Sequence, residues 1–255
     1  MQKLIVKGKK KLLGSINISG SKNATLPILA ATLLTNKIIT LKNIPFVQDV
    51  YTMINLLRFI FLNIKISKKF NILKISCNKK LKTVAPYKLL KTMRAGVLVL
   101  GPLLAKCKKA KVSLPGGCAI GTRPVNLHLF ALEKLGAKIK IKNGYIHASA
   151  KKGLQGAIIK FPSISVGATE SAILAAVSAA GKTVISNCAI EPEIQDMISF
   201  LKKMGCNINF IGKRKILIIG TKKFRSVSHE IIFDRIELGT YLIAAALAGE
   251  KITLL

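Results

Sequence analysis

Apolar residues recur at intervals of three and four in two distant segments of the chain. The first apolar stripe is Val50, Met53, Ile54 and Leu57, and the second is Ile194, Met197, Ile198 and Leu201. Each stripe predicts an amphipathic helix with one buried face. Alternating segments follow both helices, and this alternation is typical of strands.

These helices belong to a repeated unit. Residues 132–139 resemble residues 201–208, and residues 57–64 form a weaker third copy. Gly136 and Gly205 follow their helices at the position where a left-handed backbone conformation ends a helix. Phe61 occupies that position in the first copy, so we expect that helix to end differently.

A strand pair follows each helix. The pairs are 64–66 with 72–75, 139–141 with 145–148, and 208–211 with 216–219. Asn143-Gly144 is a hairpin signal in the second pair. Strand–turn–helix passages at 15–34, 111–118, 157–180 and 231–248 lie between the units, and residues 251–255 begin another strand. The pattern predicts an α/β fold of three repeated units, with helices inside and sheets outside, and a buried alanine-rich helix over 168–180.

Length and composition limit the functional classes. The chain has 255 residues, half of them hydrophobic, which is ample for a sizeable core. No apolar run approaches the roughly 18 residues of a spanning helix, and the first residues lack a signal-peptide pattern. The five cysteines are scattered, with no C-x-x-C pair. We therefore expect a reduced, cytoplasmic protein that does not insert into membranes.

The chain is strongly basic, with 42 Lys and Arg against 10 Asp and Glu and a formal charge of +32. The lysines are dispersed, and without tryptophan the chain offers little for base stacking. We interpret most of them as solvated side chains and predict no nucleic-acid partner, although a basic nucleic-acid binder remains an alternative. The positive field would attract anionic substrates such as phosphates.

Several loop segments could bind anions. Gly20-Ser21-Lys22-Asn23 opens a predicted helix, where free amide groups and Lys22 favour an anion; the alternative is a solvated lysine at a helix start. Arg94 precedes an apolar helix and could meet a second phosphate. Residues 163–167 offer hydroxyl and amide groups at another helix start. For both segments, ordinary helix capping is the alternative.

The loop over residues 114–124 carries Cys118 among three glycines and ends with Arg123 before a predicted helix. A thiol near cations and a helix N-terminus has a lowered pKa and can act as a nucleophile or an acid. The alternative is that Cys118 is an exposed thiol without a chemical role. The other four cysteines lie in strand-like or helix-end contexts and are interpreted as packing residues.

No general base is apparent among the ten acidic residues, and no acidic pair has the spacing of a metal site. Asp49 is interpreted as a helix cap. Glu133 and Asp196 are interpreted as surface partners of lysines, and Glu191 and Glu193 as first-turn charges. His128 could line a site, although a structural role is the simpler interpretation.

Eight passages together resemble the UDP-N-acetylglucosamine 1-carboxyvinyltransferases, a family of enolpyruvyl transferases. The passages, in family order, are residues 18–24, 85–87, 91–95, 112–118, 120–125, 165–169, 191–194 and 234–240. The sister enzymes that make 5-enolpyruvylshikimate 3-phosphate share fold and chemistry but lack the cysteine loop. The resemblance implies the enolpyruvyl transferase fold, in which two domains each contain three βαβαββ units.

The same resemblance implies a domain division and a truncated chain. Residues 22–232 would form one complete domain, and residues 1–21 and 233–255 a fragment of a second, incomplete domain. We therefore expect this chain alone to have little or no turnover, because the family's aspartate base would lie beyond residue 255. A separate chain could supply the missing half; an inactive remnant that still binds phosphorylated ligands is an alternative.

The implied reaction transfers the enolpyruvyl group of phosphoenolpyruvate to the 3-hydroxyl of UDP-N-acetylglucosamine and releases phosphate, with no metal or other cofactor. Lys22 and Asn23 would hold phosphoenolpyruvate, Cys118 would protonate it and form a covalent adduct, and Arg123 would clamp its phosphate or carboxylate. The implied nucleotide-sugar residues are Arg94, Arg123, Pro124, Val125, Asn126, Leu127, Ser163, Ile164, Ser165 and Val166. Asn126 stands where the family commonly has Asp, and Ser163 stands where it commonly has Lys. Both positions belong to the nucleotide end of the implied site, so these replacements bear on the affinity for the nucleotide.

Overall fold

The computed structural model describes residues 11–116 and 125–255, together with Lys3, Ile5 and Gly8. The α-helices are α1 (Lys22–Ala31), α2 (Gln48–Phe59), α3 (Tyr87–Leu90), α4 (Leu100–Cys107), α5 (Asn126–Lys134), α6 (Val166–Ala176), α7 (Pro192–Lys203) and α8 (Arg235–Ala248). The strands are β1 (Leu12–Ile16), β2 (Ile39–Lys42), β3 (Asn63–Ser67), β4 (Ile72–Ser76), β5 (Val84–Ala85), β6 (Lys109–Ser113), β7 (Lys138–Lys142), β8 (Tyr145–Ser149), β9 (Ile158–Lys160), β10 (Lys182–Ser186), β11 (Asn207–Gly212), β12 (Lys215–Ile219), β13 (Val227–Glu230) and β14 (Gly249–Leu254). Short 3-10 helices cover Thr32–Leu34, Lys68–Phe70 and Arg94–Val99.

Three four-stranded sheets repeat one topology. Their strand orders are β13-β2-β4-β3, β5-β6-β8-β7 and β9-β10-β12-β11. In each sheet an antiparallel hairpin follows its helix, and the remaining edge strand pairs in parallel. In the hairpin of the second sheet, Asn143 and Gly144 both have positive φ, as the sequence predicts for a tight turn. The predicted threefold α/β repetition is confirmed.

The helices lie at the centre of the repeats, and the three sheets surround them. Eight consecutive residues of α1 and nine of α6 are buried, whereas each sheet buries alternate residues and leaves the others toward solvent. α6 packs against α4 and α5, and α1 against α2 and α7. Alanine allows this close approach of helices, which explains why this alanine-rich segment, with Glu170 as its single acid, is central. α6 ends at Ala176, four residues before the end predicted from the sequence.

All three repeats end their helix in the same way, which the sequence interpretation did not expect. Phe61 has φ +88°, beside +88° for Gly136 and +97° for Gly205. The hydrogen bonds are equivalent as well: Phe61 N–H donates to the carbonyl of Arg58 just as Gly136 N–H donates to that of Glu133. The expectation of a different ending for the first copy is wrong. The next strand starts in the same place in each unit, and this requires the left-handed residue whatever its side chain.

The two ends of the described chain form a separate small sheet. β1 pairs in parallel with β14 at the end of the chain, and α8 packs against β14. α8 has no buried residue, unlike α1 and α6. The strand predicted at the start of the passage 231–248 does not form, because β13 ends at Glu230 and Phe233 makes only an isolated bridge to Gly20. No helix in the described ranges is long and apolar enough to cross a membrane.

Candidate active site

A cleft of about 710 Å³ lies where α1, α6 and the 3-10 helix Arg94–Val99 meet. Lys22 and Asn23 form one part of its wall, and Arg94 forms another. Ser165 and Val166, at the start of α6, complete this group. Five residues predicted from three separate sequence passages therefore line one cavity.

The start of α1 presents Lys22 to this cleft. Ser21 Oγ accepts a hydrogen bond from the Ala24 N–H at 3.3 Å, and this cap fixes where the helix begins. Lys22 Nζ lies 3.1 Å from Asp49 Oδ2, with both side chains more than a third exposed. Asp49 is therefore an ion-pair partner in the cleft wall. Its predicted role as a helix cap is wrong, because α2 has Val47 at its N-cap without a side-chain bond.

His128 and Arg94 form the second part of the wall. His128 is buried on α5, and its Nδ1 lies 2.7 Å from Ser171 Oγ. Burial, together with the nearby Arg94 charge, lowers the pKa of His128 to about 4. The imidazole is thus neutral at physiological pH, and its buried Nε2 has no hydrogen-bond partner among the described residues.

The start of α6 lies against His128. Ser165 Oγ accepts a hydrogen bond from the Ala168 N–H at 3.3 Å and caps the helix. A Cβ at Gly167 would lie 2.9 Å from His128 Cε1, so only glycine allows this contact without displacing the ring. The helix start carries unpaired amide groups and the positive end of the helix dipole, and it therefore favours an anionic group in the cleft.

Glu170 is a buried acid of the cleft that the sequence interpretation did not single out. It lies one turn into α6 and lines the main cleft and a smaller cavity of about 240 Å³. Burial, together with the neighbouring Glu193 and Glu191, raises the pKa of Glu170 to about 8. A protonated Glu170 adds no negative charge to a cleft lined by Lys22, Lys91 and Arg94. The signal in the sequence is a single acid within an alanine-rich helix.

The start of α8 is joined to the start of α1. Asp234 Oδ1 accepts hydrogen bonds from the N–H groups of Ile236 and Glu237 at 2.8 and 3.2 Å, which caps α8. Its other oxygen accepts a bond from the Lys22 N–H at 3.2 Å. A further cavity of about 530 Å³ lies beside this junction and shares Lys22, Asn23 and Asp49 with the main cleft. Asp234 thus ties α8 to the segment that carries Lys22.

Two acids of α7 are buried, one interpreted from the sequence as a surface partner of lysine and the other as a first-turn charge. Asp196 is 6% exposed and accepts a bond from His229 Nε2 at 2.9 Å, so its assignment as a surface partner of lysine is wrong. Glu193 is 3% exposed and accepts a bond from Arg235 Nε at 2.9 Å. It does lie in the first turn of α7, but it is an internal ion-pair partner. These contacts connect α7 with β13 and with α8.

Several predicted residues lie away from the cleft wall. Val125 precedes α5 and is packed in the core, and Leu127 is half-buried against that core. Asn126, Ser163 and Ile164 are exposed and do not line the cleft. Their assignment to the nucleotide-sugar site came from the family resemblance, and it stays a prediction.

The loop with the candidate thiol is only partly described. Cys118, Arg123 and Pro124 lie outside the described residues. Gly116, two positions before Cys118, lines the cleft. A Cβ there would lie 2.0 Å from the Lys91 carbonyl oxygen, so only glycine fits this approach. The chain therefore enters the undescribed segment from the cleft wall.

The described cysteines are poor nucleophiles. Cys77, Cys188 and Cys206 are buried, and Cys107 is half-buried. Burial raises the pKa of Cys206 to about 12 and raises the pKa of Cys188 and Cys107 as well. The thiols of Cys107, Cys188 and Cys206 therefore stay protonated at neutral pH, which fits their interpretation as packing residues. Within the ranges that the structure describes, no group of three or more His, Cys, Asp or Glu could hold a metal ion.

Known proteins are similar in sequence to nearly the whole of this chain. The family model for EPSP synthase (3-phosphoshikimate 1-carboxyvinyltransferase) matches residues 6–255. A UDP-N-acetylglucosamine 1-carboxyvinyltransferase of Pelagibacter ubique is 62% identical over 247 residues, which are 97% of this chain and 59% of that protein. The protein of the same name from Endomicrobium trichonymphae is 51% identical over 247 residues, which are again 97% of this chain and 59% of that protein. The chain thus spans about three fifths of the length of these relatives.

Solved structures share the fold at low sequence identity. The enolpyruvyl transferase NikO from Streptomyces tendae superposes with a TM-score of 0.83 at 18% identity, covering 97% of this chain and 58% of that one. An EPSP synthase from Acinetobacter baumannii gives 0.79 at 17% identity, covering 97% and 56%. These matches confirm the predicted fold class.

Proposed function

This chain belongs to the EPSP synthase family, and on that premise we propose that it contributes the phosphoenolpyruvate-binding half of a UDP-N-acetylglucosamine 1-carboxyvinyltransferase. The proposed reaction transfers the enolpyruvyl group of phosphoenolpyruvate to the 3-hydroxyl of UDP-N-acetylglucosamine and releases phosphate. Identities of 62% and 51% to relatives of that name support this acceptor over shikimate 3-phosphate.

One observation carries the proposal: Lys22, Asn23 and Arg94 share a cleft with the start of α6. Phosphoenolpyruvate carries a phosphate and a carboxylate, so its binding site needs several cationic or amide donors in one place. Charge-assisted hydrogen bonds of this kind are roughly twice as strong as neutral ones. The neutral states of His128 and Glu170 leave the cationic groups to dominate the field in the cleft.

Lys22 is the proposed primary ligand of phosphoenolpyruvate. In the structure its ammonium group is paired with Asp49, a partly exposed contact that contributes little stability on its own. A multiply charged substrate would compete successfully for Lys22 at small cost. Asn23 and the amide groups at the start of α1 would supply neutral donors beside it.

Cys118 is the proposed proton donor and the site of a covalent adduct. In the addition step the thiol proton goes to the methylene carbon of phosphoenolpyruvate, and the sulfur bonds to the carbon that carries the phosphate ester, so the double bond is consumed and nothing leaves. Arg123, five residues further on, would clamp the phosphate or carboxylate during this step. Closing the loop over the substrate would also exclude water.

The nucleotide sugar is proposed to bind at Arg94, residues 123–127 and residues 163–166. Ser165 and Val166 lie in the cleft wall, which supports this placement for the start of α6. Asn126 and Ser163 replace an acid and a base that the family commonly has, and both are exposed. A shift in nucleotide affinity is expected at these two positions.

We also propose that residues 22–232 form one complete domain, and that residues 1–21 and 233–255 belong to another. The pairing of β1 with β14 alone and the absence of buried residues in α8 support this division. Asp234 and Arg235 then link the two units through Lys22 and Glu193.

The test measures adduct formation by intact-mass analysis on the 255-residue chain, incubated with phosphoenolpyruvate or with the epoxide phosphonate fosfomycin. We expect one equivalent on Cys118 and none on Cys118→Ser. Lys22→Ala should slow the adduct about 10- to 100-fold, because it removes a charge-assisted contact to the phosphate. Lys37→Ala is the matched control, since Lys37 is exposed and lies outside the cleft wall.

Two results would refute the proposal. The first is that Cys118 is labelled no faster than a small free thiol and that Lys22→Ala does not change the rate of labelling. The other concerns the acceptor: calorimetric binding of shikimate 3-phosphate in preference to UDP-N-acetylglucosamine would assign the chain to the sister reaction.

A further inference from the structure

The outer face of the second sheet carries a cluster of lysines that the proposed reaction does not use. Lys111 and Lys140 flank His147 in one row across β6, β8 and β7. Lys109 and Lys138 flank Ser149 in the next row. We call these four lysines with His147 and Ser149 the lysine cradle. They line a groove of about 400 Å³ that shares no residue with the cleft of Lys22.

Strand geometry brings the four ammonium groups within reach of one ligand. Adjacent strands are about 4.8 Å apart and alternate residues along a strand about 6.8 Å apart. The four Cα atoms therefore mark a rectangle of roughly 10 by 7 Å around His147 and Ser149. Lysine side chains are long enough to converge over such an area, and the imidazole and hydroxyl add polar groups at its centre.

The threefold repeat supplies an internal comparison. The four positions of the cradle correspond, through the strand registers, to Ile38, Thr40, Asn63 and Lys65 in the first sheet and to Lys182, Val184, Asn207 and Asn209 in the third. At these four positions each of the other two sheets has one lysine, and with the central positions included the first sheet has two, Lys65 and Lys74, against four in the second. A general excess of lysine in the chain acts on all three sheets alike, so it does not explain the cradle.

No acid balances this charge. The sequence has no Asp or Glu between Asp49 and Glu133, and none in the hairpin that carries Lys138 and Lys140. None of the four lysines makes an ion pair in the described part of the chain. Four like charges so close together raise the energy of the free protein, and a bound anion would relieve that repulsion.

A second basic groove adjoins the cradle. It has a volume of about 600 Å³, is lined by Lys79, Lys80 and Lys106, and shares Thr83 and Lys109 with the first groove. The positive surface is thus longer than a single phosphate needs. Its extent fits a ligand in which several phosphate groups are linked in a chain.

The aromatic content of the two grooves argues against bases as the recognised groups. Apart from the imidazole of His147, no aromatic residue is among the residues that line them. Tyr145 lies on the adjoining row of the sheet, but Lys111 Nζ lies 4.6 Å from its ring centroid and covers one face. Binding of single-stranded nucleic acid relies on stacking of bases on open aromatic faces.

We propose that the lysine cradle binds the phosphate chain of a polyphosphorylated anion, either a nucleoside triphosphate or inorganic polyphosphate. The site is separate from the cleft that contains Lys22, so it would hold a ligand other than the two substrates. The proposal is independent of the reaction proposed above, because it rests on two grooves that share no residue with the cleft of Lys22.

The test uses calorimetric titration of the 255-residue chain with inorganic tripolyphosphate at low and at physiological salt. The cradle variant is Lys111→Gln with Lys140→Gln. The matched control is Lys65→Gln with Lys74→Gln, which removes two charges from the outer face of the first sheet. We expect the cradle variant to weaken binding at least about tenfold and the control less than about twofold.

Excess phosphoenolpyruvate should leave the tripolyphosphate isotherm of the wild-type chain unchanged, which separates the cradle from the cleft. ATP binding as tightly as tripolyphosphate supports recognition of the phosphate chain alone, and tripolyphosphate binding more tightly points to the inorganic polymer.

Several outcomes would overturn the proposal. Equal weakening in both double variants would mean that only the overall charge matters. If ATP bound and tripolyphosphate did not, the base would be the recognised group. If a single-stranded oligonucleotide bound more tightly than tripolyphosphate at the same salt, the cradle would be a nucleic-acid surface. Unchanged thermal denaturation of both variants is the folding control, which exposed lysines should pass.

Discussion

Glu170 shows how one side chain sets a pH response. Its carboxyl group is buried in α6, and burial beside Glu193 and Glu191 raises its pKa to about 8. Folding therefore favours the protonated form. The associated stability is present in full below the unfolded-state pKa of about 4.5 and is lost as the pH rises through about 8. Between pH 4.5 and 8, lowering the pH therefore increases the contribution of Glu170 to the stability of the fold.

We predict that Glu170→Gln removes this pH dependence, because glutamine keeps the shape of the neutral acid but does not ionise. The variant should match the wild type near pH 5 and unfold several degrees higher at pH 8.5, as measured by thermal denaturation across that range. The free-energy difference at high pH should be a few kcal/mol at most. Glu133→Gln, at an exposed position on α5, is the control and should parallel the wild type. Parallel curves for Glu170→Gln would contradict the prediction.

Elements of the three repeats end alike because the backbone path, not the side chain, is repeated. Gly136, Gly205 and Phe61 all take the left-handed conformation after their helices. Phe61 bears the steric cost of its Cβ there, while its ring lies 4.4 Å from Lys82 Nζ. A glycine in the same conformation bears no such cost.

The cost of a side chain at this position can be measured at Gly136. No atom lies within 4 Å of a Cβ built there, so a substitution changes backbone strain alone. We expect Gly136→Ala to lower the free energy of unfolding by about 1 kcal/mol in urea denaturation. Gly136→Asn should lose less, because asparagine tolerates the left-handed conformation. An alanine variant as stable as the wild type would show that the helix end can shift to avoid positive φ.

The described part of the molecule is densely packed in the three repeats and loosely packed around α8, β1 and β14. The three repeats enclose a continuous core, whereas α8, β1 and β14 contribute no residue to it. Exposed apolar residues mark this part, including Leu13, Leu242, Ile243 and Leu247. Local stability follows buried contacts, so this part should open without the rest.

We predict that hydrogen exchange of the intact chain separates the two parts. Amides of α8 and β14 should exchange at least about 100-fold faster than those of α6 and β10 at neutral pH. Mass spectrometry of peptides from the exchanged protein measures this directly. Equal protection of α8 and α6 would mean that the hydrogen bonds of Asp234 and Glu193 are enough to hold α8 in the same cooperative unit.

The site was only partly predictable. Lys22, Asn23, Arg94, Ser165 and Val166 do meet in one cleft, since each stands at the start of a helix and the repeats direct these helix starts to one place. Their roles stay predictions, as do those of Cys118, Arg123 and Pro124 in the undescribed segment. The partners Asp49 and Glu170 were missed, because neither belongs to a recognisable local motif.

The sequence by itself determined the repeated unit, the hairpins, the central alanine-rich helix and the family. Each of these depends on residues close together in the chain, where periodicity and turn chemistry are visible. The tertiary structure decided the pairing of Asp196 with His229, 33 residues apart, and the bond of Asp234 to the start of α1, 212 residues away. It also decided the ionisation of Glu170 and His128. Such contacts and the burial that shifts a pKa arise only when distant segments pack together, and no local pattern encodes them.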